Sequence, residues 1–351
     1  AVNIDIARSD SWLTRSLRAL VVRRLQQFTA GRLTLLDGEH AFHFGTTSTD
    51  NAATNNATTG NTVAESTRSG MTAVLRVHDA RFYRCLIFGG SLGAADAFVE
   101  GYWSCDDLPA LMRVCTINAA AVQTFDRGAG RWTSLIRTPL QTLSRWRTRN
   151  NRNGSRRNIA AHYDLGNEFF GLFLDQTMTY SSGMFADSDT TLDEATLAKY
   201  RRVAEKLRLT AVDHLIEIGT GWGGFAIFAA REYGCRVTTT TISKQQFEYA
   251  QQLVADAGLQ SRVRVLCQDY RTLDGTFDKL VSIEMIEAVG HEYLGQFFAK
   301  CASLLKPSGQ MVLQAITVPD QRYEGYRRRI DFIQKYIFPG GCLPSIGAML
   351  R

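Results

Sequence analysis

Residues 209–233 read LTAVDHLIEIGTGWGGFAIFAAREY. An apolar run, Leu215-Ile216-Glu217-Ile218, leads into Gly219, Gly221, Gly223 and Gly224, and apolar residues at helical spacing follow. That order is strand, glycine loop, helix. The glycines let the backbone turn tightly and leave room for a ligand beside it. The rhythm continues outward. CRVTTTTISKQQFEYAQQLVADAG (235–258) is a strand, a turn and a helix, and RVRVLCQDY (262–270) is a third strand. FDKLVSIEMIEAVG (277–290) is a strand with a loop, YLGQFFAKCASLLK (293–306) a helix, and PSGQMVLQAIT (307–317) a turn and a fifth strand. Strands separated by helices predict an α/β fold with a doubly wound, Rossmann-like parallel sheet, whose ligand loops gather at the carboxyl ends of the strands.

The loop spacing is GxGxGG, and Glu217 stands two residues ahead of it. An acid there can bind the amino group of a methionine moiety, directly or through water, whereas it repels a pyrophosphate. This favours S-adenosylmethionine (SAM) over NAD. The second strand ends in Thr240-Thr241-Ile242-Ser243 without an acid for a ribose, so ribose contacts fall to other residues such as Gln246. Asp269, after the third strand, is placed either to accept from an adenine amino group or to cap a helix. Glu284 and Glu287 follow the fourth strand. Each is read as a general base, an orienting carboxylate or a solvated loop acid. Tyr180, Ser181 and Ser182 are pocket-lining or turn residues.

Three stretches interrupt the pattern. TTSTDNAATNNATTGNTVAESTRSG (46–70) is too polar to bury a core and is expected to be a disordered loop. Residues 126–158 carry Arg145, Arg147, Arg149, Arg152, Arg156 and Arg157 with Trp132 and Trp146, and are expected to form a basic linker. The third is the end of the chain. Before the linker, RLTLLDG and HAFHFG alternate like strands around a DG turn, and TAVLRVHD is a further strand. DARFYRCLIFGGSLGAADAFVEGYW has glycine-interrupted helical spacing, and LPALMRVCTINAAAVQTF reads as a plain helix. The expected organisation is a mixed α/β domain over 1–125, a linker over 126–158 and a SAM-dependent domain over 159–351.

The chain has 351 residues, 45% hydrophobic and 21% charged, which excludes a wholly disordered chain, a collagen-like fibre and a disulfide mini-protein. Its 40 Lys+Arg against 34 Asp+Glu matter only where they cluster. The seven cysteines are scattered without zinc-ligand spacing, so reduced thiols, a cytoplasmic location and no metal are expected. No apolar run reaches the roughly 20 residues of a membrane span.

Five ordered motifs resemble the cyclopropane-fatty-acyl-phospholipid synthases: RRNIAAHYDLGNEFFGLFLDQTMTYSSGMF, LIEIGTGWGGFAIFAA, TTTISKQQFEYAQ, SIEMIEAVGHEYL and FIQKYIFPGGCLPS. The likeness extends more loosely to LRVHDARFYRCLIFGGSLGAADAFVEGYW. It implies an enzyme that adds a methyl-derived carbon from SAM to the cis double bond of an unsaturated phospholipid acyl chain. The product is a cyclopropane, a methylene or a methyl branch, and a bicarbonate ion takes the proton. Carried over by position, Tyr180, Ser181, Gly219, Gly221, Thr241, Ile242 and Gln246 match cofactor contacts, beside Glu217, Gly223 and Asp269. Glu287 matches the acid that holds bicarbonate, and Ile283 lines that site. Two positions depart. Ser182 stands where the family has a bicarbonate-binding cysteine, and Gln314 where many members have histidine. Both keep hydrogen-bonding ability but remove a thiol and an imidazole, so bicarbonate binding stays open.

Relatives continue past this point with a catalytic tyrosine and two more strands. The sheet is therefore expected to be incomplete at its C-terminal edge. The expected partners are unsaturated acyl chains and an anionic membrane surface, met peripherally at the inner face. No nucleic acid is expected, because no RNA-binding module accompanies the arginines. A homodimer is left open. The rival readings are a non-catalytic lipid- and SAM-binding relative and a SAM methyltransferase for another substrate.

Overall fold

The computed structural model describes residues 11–46, 71–126, 150–151, 154–155 and 166–351. The chain divides into two compact units, Ala1–Leu140 and Gln141–Arg351. The expected loop over 47–70, the arginine run outside 150–151 and 154–155, both linker tryptophans and His162-Tyr163-Asp164 lie outside the described residues.

The first unit contains α1 (Trp12–Leu25), β1 (Arg32–Asp37), β2 (His40–Phe44), β3 (Thr72–Val77), α2 (Arg81–Val99), β4 (Trp103–Cys105), α3 (Leu108–Ile117) and α4 (Ala119–Asp126). Its sheet has the order β2-β1-β3-β4. The DG turn closes an antiparallel hairpin with Asp37 opposite His40, while β3 runs parallel to β1. Leu33, Leu35, Ala73 and Leu75 face a core shared with Phe82, Tyr83, Ile87 and Val114.

One sequence expectation is corrected here. The plain helix over 108–125 is two helices, because Asn118 is buried and drawn into tertiary bonds. Its Oδ1 accepts from the Thr29 and Ala30 amides at 2.8 and 3.3 Å, and its Nδ2 donates to the Ala30 and Val114 carbonyls. The glycine-interrupted stretch breaks at Gly90 (φ 60°, ψ −145°). Asp126 there accepts from the Ser91 amide and hydroxyl, capping the second half of α2. A Cβ on Gly90 would stand 2.5 Å from the same carboxylate, so only glycine fits. The strand β4 was not read from the sequence.

The second unit contains α5 (Asn167–Gly171), α6 (Leu192–Leu207), β5 (His214–Ile218), α7 (Gly224–Glu232), β6 (Arg236–Thr241), α8 (Lys244–Asp256), β7 (Val263–Cys267), β8 (Phe277–Ile283), α9 (Leu294–Leu304), β9 (Leu305–Gln314), α10 (Asp320–Tyr326) and α11 (Ile346–Met349). The five strands form one parallel sheet of order β7-β6-β5-β8-β9, with β7 and β9 at its edges. The fold is a doubly wound, Rossmann-like α/β architecture. Side chains alternate across it. Leu215 and Val281 join the core of α6 and α7, while Ile216 and Leu280 join that of α9. Leu215, Ile216 and Leu280 are wholly buried, each contributing about 1.5–3 kcal/mol by leaving water.

The run Thr238–Thr241 is buried too, and every hydroxyl has a partner: His214, Glu217 with Thr220, Gln268 and Gln246 in turn. β9 starts at Leu305 rather than after a turn at 307–309. Its register against β8 jumps from Phe277↔Leu305 to Lys279↔Gln310, so Lys306–Gly309 bulge within the strand's span.

The chain turns outward from β5 to β6 and β7 on one side and reaches β8 and β9 on the other. The switch point is therefore the cleft beyond the carboxyl ends of β5 and β8, where an α/β sheet binds ligands.

Candidate functional site

The loop between β5 and α7 is held against its neighbours. The Gly219 and Thr220 amides both donate to the Thr240 carbonyl at 3.0 Å. Its glycines serve different purposes. A Cβ on Gly219 would lie 3.0 Å from Met285, and one on Gly223 3.2 Å from Ala250, so these two allow close packing. Gly221 (φ 53°) faces open space, with no atom within 4 Å of a Cβ placed there. This is the part of the loop a ligand can approach.

Glu217 is fully buried beneath the loop. Thr239 Oγ lies 2.6 Å from its Oε2 and 2.7 Å from Thr220 Oγ. Burial raises the Glu217 carboxyl from 4.5 to about 8, against an opposing pull from the Thr239 hydroxyl. Between those values the folded chain keeps a proton that the unfolded chain has released. Stability from this group is complete below the unfolded value and is lost as pH rises through the folded one. Thermal denaturation of ligand-free protein from about pH 5 to about pH 9 should show Tm falling, and Glu217→Gln, neutral throughout, should flatten the fall. Identical curves for the two proteins would show that Glu217 is ionised across the range.

At the end of β6, Thr241 donates to Gln246 Oε1 at 2.8 Å and accepts from the Ser243 amide. Ser243 caps α8, which fixes Gln246 in the first turn. Gln246 Nε2 then carries no hydrogen bond among the described residues. Ile242 is half-buried beside it. Asp269 caps the turn Tyr270–Thr272 and holds Arg271 in a two-pronged pair at 2.9 and 2.7 Å, both side chains buried. The structure thus uses Asp269 as a cap, and Arg271 ties it to the Asn150 carbonyl and Ser155 hydroxyl.

The segment before α6 folds over the cleft. Asp175 accepts from the amides of Thr177 and Thr179, and the Thr179 and Tyr200 hydroxyls bond, which anchors 175–182 to α6. Tyr180 packs edge to face on Phe173 and tilted against Phe170, and lies 6.1 Å from Phe338, ring centre to ring centre. Trp222 of the glycine loop packs tilted against Phe170, with ring centres 5.0 Å apart. One wall of the cleft is therefore aromatic, and Phe169, Leu172, Phe173, Met184 and Phe185 leave apolar surface exposed nearby.

Opposite stands a polar cluster. Gln314 Nε2 is 2.9 Å from Glu284 Oε1 and 3.2 Å from the hydroxyls of Ser181 and Ser182. The Ser182 hydroxyl is itself 3.0 Å from Glu284 Oε1. Glu287 stays apart. Its Oε1 accepts from the Ile316 amide at 2.5 Å, and its Oε2 is buried with no hydrogen-bond partner among the described residues. Burial raises its pKa, two backbone amides lower it, and Glu284 adds a push upward.

The sequence profile of the mycolic acid cyclopropane synthetase family matches residues 150–351. The chain belongs to this family. The tuberculostearic acid methyltransferase UfaA1 of Mycobacterium tuberculosis (strain ATCC 25618 / H37Rv) is 40% identical over 268 residues, which are 74% of this chain and 61% of that protein. The cyclopropane-fatty-acyl-phospholipid synthase of Escherichia coli (strain K12) is 34% identical over 277 residues, 78% of this chain and 68% of that one. The chain thus spans about three fifths to two thirds of these relatives. Among solved structures, the mycolic acid cyclopropane synthase CmaA1 complexed with SAH and CTAB aligns with a TM-score of 0.52 at 39% identity, covering 55% of this chain and 71% of that one.

Within this family frame, Ser181, Ser182 and Gln314 converge, Ile283 packs against the core around Tyr200 and Phe225, and Glu287 lies one turn of chain beyond. Of the two acids read as a general base, an orienting carboxylate or a loop acid, Glu284 is the focus of the cluster. One participant escaped the sequence reading. Lys199 on α6 is 2% exposed, and its Nζ has no hydrogen-bond partner. The helix was signalled by Thr191 and Glu194, which form a reciprocal cap at its start, but nothing in the spacing marked the lysine.

Proposed function

We propose that this chain transfers a methyl-derived carbon from SAM to the cis double bond of an unsaturated phospholipid acyl chain. What carries the reading is the pairing, in one cleft, of an open glycine loop with an aromatic wall and a polar cluster. SAM supplies an electrophilic methyl group, whose leaving electron pair stays on sulfur. The residues fit it. The open face at Gly221 admits it, Glu217 lies under the loop for an amino group, and Gln246 offers Nε2 with no other bond. Tyr180, Ser181, Gly219, Gly223, Thr241, Ile242 and Asp269 complete the proposed surroundings. The aromatic wall accepts an acyl chain and keeps water from the reacting carbons.

The acyl chain must be presented at a bilayer. No helix among the described residues is long and apolar enough to cross one. The arginine run between 145 and 157 supplies a basic segment for anionic headgroups, at about 1 kcal/mol for each residue near the surface. The test is mass spectrometry of phospholipids from cells expressing the protein. An addition of one carbon to unsaturated chains is expected, at 14 mass units when saturation is unchanged. Lipids identical to those of control cells would overturn the proposal.

A further inference from the structure

Glu284 is one of three described non-glycine residues in the left-handed region, at φ 47°. An L-residue pays for that conformation, and such outliers persist where the surroundings impose them. Here the surroundings are identifiable. The Glu284 amide donates to the Gln314 carbonyl at 2.9 Å, which continues the β8–β9 ladder one residue past β8. β5 pairs with β8 beside it, so the Glu284 side chain leaves the sheet next to the glycine loop.

The side chain is then fixed from three directions. Gln314 Nε2 at 2.9 Å, Ser182 Oγ at 3.0 Å and the Ser182 amide at 3.4 Å all meet Oε1. Oε2 carries no hydrogen bond among the described residues. Lys199 of α6 is buried, and its Nζ carries no hydrogen bond among the described residues. Burial lowers its pKa to about 8, and Glu284 and then Asp175 pull it back up.

The two side chains assigned to bicarbonate by resemblance, Ser182 and Gln314, are thus both spent on Glu284. We propose that the Glu284 carboxylate is the proton acceptor of the reaction, built into the chain in the place a bicarbonate ion would take. The assignment rests on the proposed methyl transfer. Once an alkene carbon has bonded to the incoming methyl, its neighbour is a cation. A C–H bond then breaks: on the new methyl group its electron pair closes a three-membered ring with the cationic carbon, and on a carbon next to the cation it forms a double bond. The proton passes to a Glu284 oxygen and from there to solvent.

The experiment follows SAM consumption and lipid products in buffer freed of carbon dioxide, with and without added bicarbonate. The wild type is expected to turn over equally in both. Glu284→Gln should lose about 100-fold in turnover, the lower range for a positioned base, with SAM affinity unchanged by calorimetry. Glu284→Gly relieves the backbone and removes the carboxylate. It should lose as much, regain about tenfold with bicarbonate, and bind 13C-labelled bicarbonate in NMR titrations where the wild type does not. A wild type that turns over and requires bicarbonate, or Glu284→Gln at the wild-type rate, overturns this assignment alone. A wild type that methylates no unsaturated phospholipid under either condition overturns the functional reading and the assignment together.

Discussion

Gly221→Leu is expected to weaken SAM binding at least about 100-fold while the protein stays folded. The residue has φ 53°, where an L side chain costs about 1–2 kcal/mol. That strain is affordable because no atom lies within 4 Å of the added Cβ. The leucine therefore enters the open space over the loop, which is the ligand's. The dissociation constant should rise at least about 100-fold, or about 2.8 kcal/mol at 1.4 kcal/mol per decade. Calorimetric titration measures it, and a melting curve separates the effect from unfolding. Gly223→Leu should behave differently, since its Cβ would meet Ala250 at 3.2 Å and damage the helix start first. Unchanged affinity in a folded Gly221→Leu protein would remove the glycine loop from the binding site.

Glu287→Gln should cut turnover by about 100-fold or more, the range for a positioned acid–base group, and leave SAM affinity alone. Glu287 is bound on one side only, through Oε1 and the Ile316 amide, while Oε2 is buried and unpaired. A buried polar atom without a partner costs roughly 1–3 kcal/mol, so its place in a cleft points to a group that arrives with the substrate. Glutamine keeps the shape, accepts from Ile316 through its carbonyl and loses the charge. Removing an uncompensated buried charge should leave the ligand-free protein at least as stable. Rate and affinity measured on one preparation decide it: wild-type turnover in the variant would make Glu287 a loop acid, and a parallel loss of affinity would move it into the SAM site.

Much of the architecture was legible because it is written locally. Five strands, the helices between them and the glycine loop follow from apolar period and turn chemistry, which depend on residues within one or two turns of each other. The DG hairpin, Asp37 opposite His40, is of the same kind. The expectations that failed lay where a distant partner overrode the local pattern. Asn118 has ordinary helical neighbours, and only its bonds to Thr29 and Ala30, 88 and 89 positions away, break the helix. The break at Gly90 was legible in the glycines, but its cap, Asp126, comes from 35 positions along the chain.

The site divides in the same way. The sequence by itself determined the parallel sheet, the loop at Gly219–Gly224 and, through five ordered motifs, the family. Only the tertiary structure decided how the polar residues share their bonds. Ser182 and Glu284 are 102 positions apart, and Ser182 and Gln314 are 132 apart. No spacing rule joins them: the β8–β9 ladder sets Glu284 beside Gln314, and the segment 175–182, anchored to α6, brings Ser182 to both. It also showed that Asp269 caps the turn Tyr270–Thr272 and pairs with Arg271, that Glu287 stands outside the cluster and that Glu284 stands at its centre. The physical reason is reach. Backbone preference and hydrophobic period act over a few residues, whereas a hydrogen bond between side chains forms only after the sheet has brought their strands side by side.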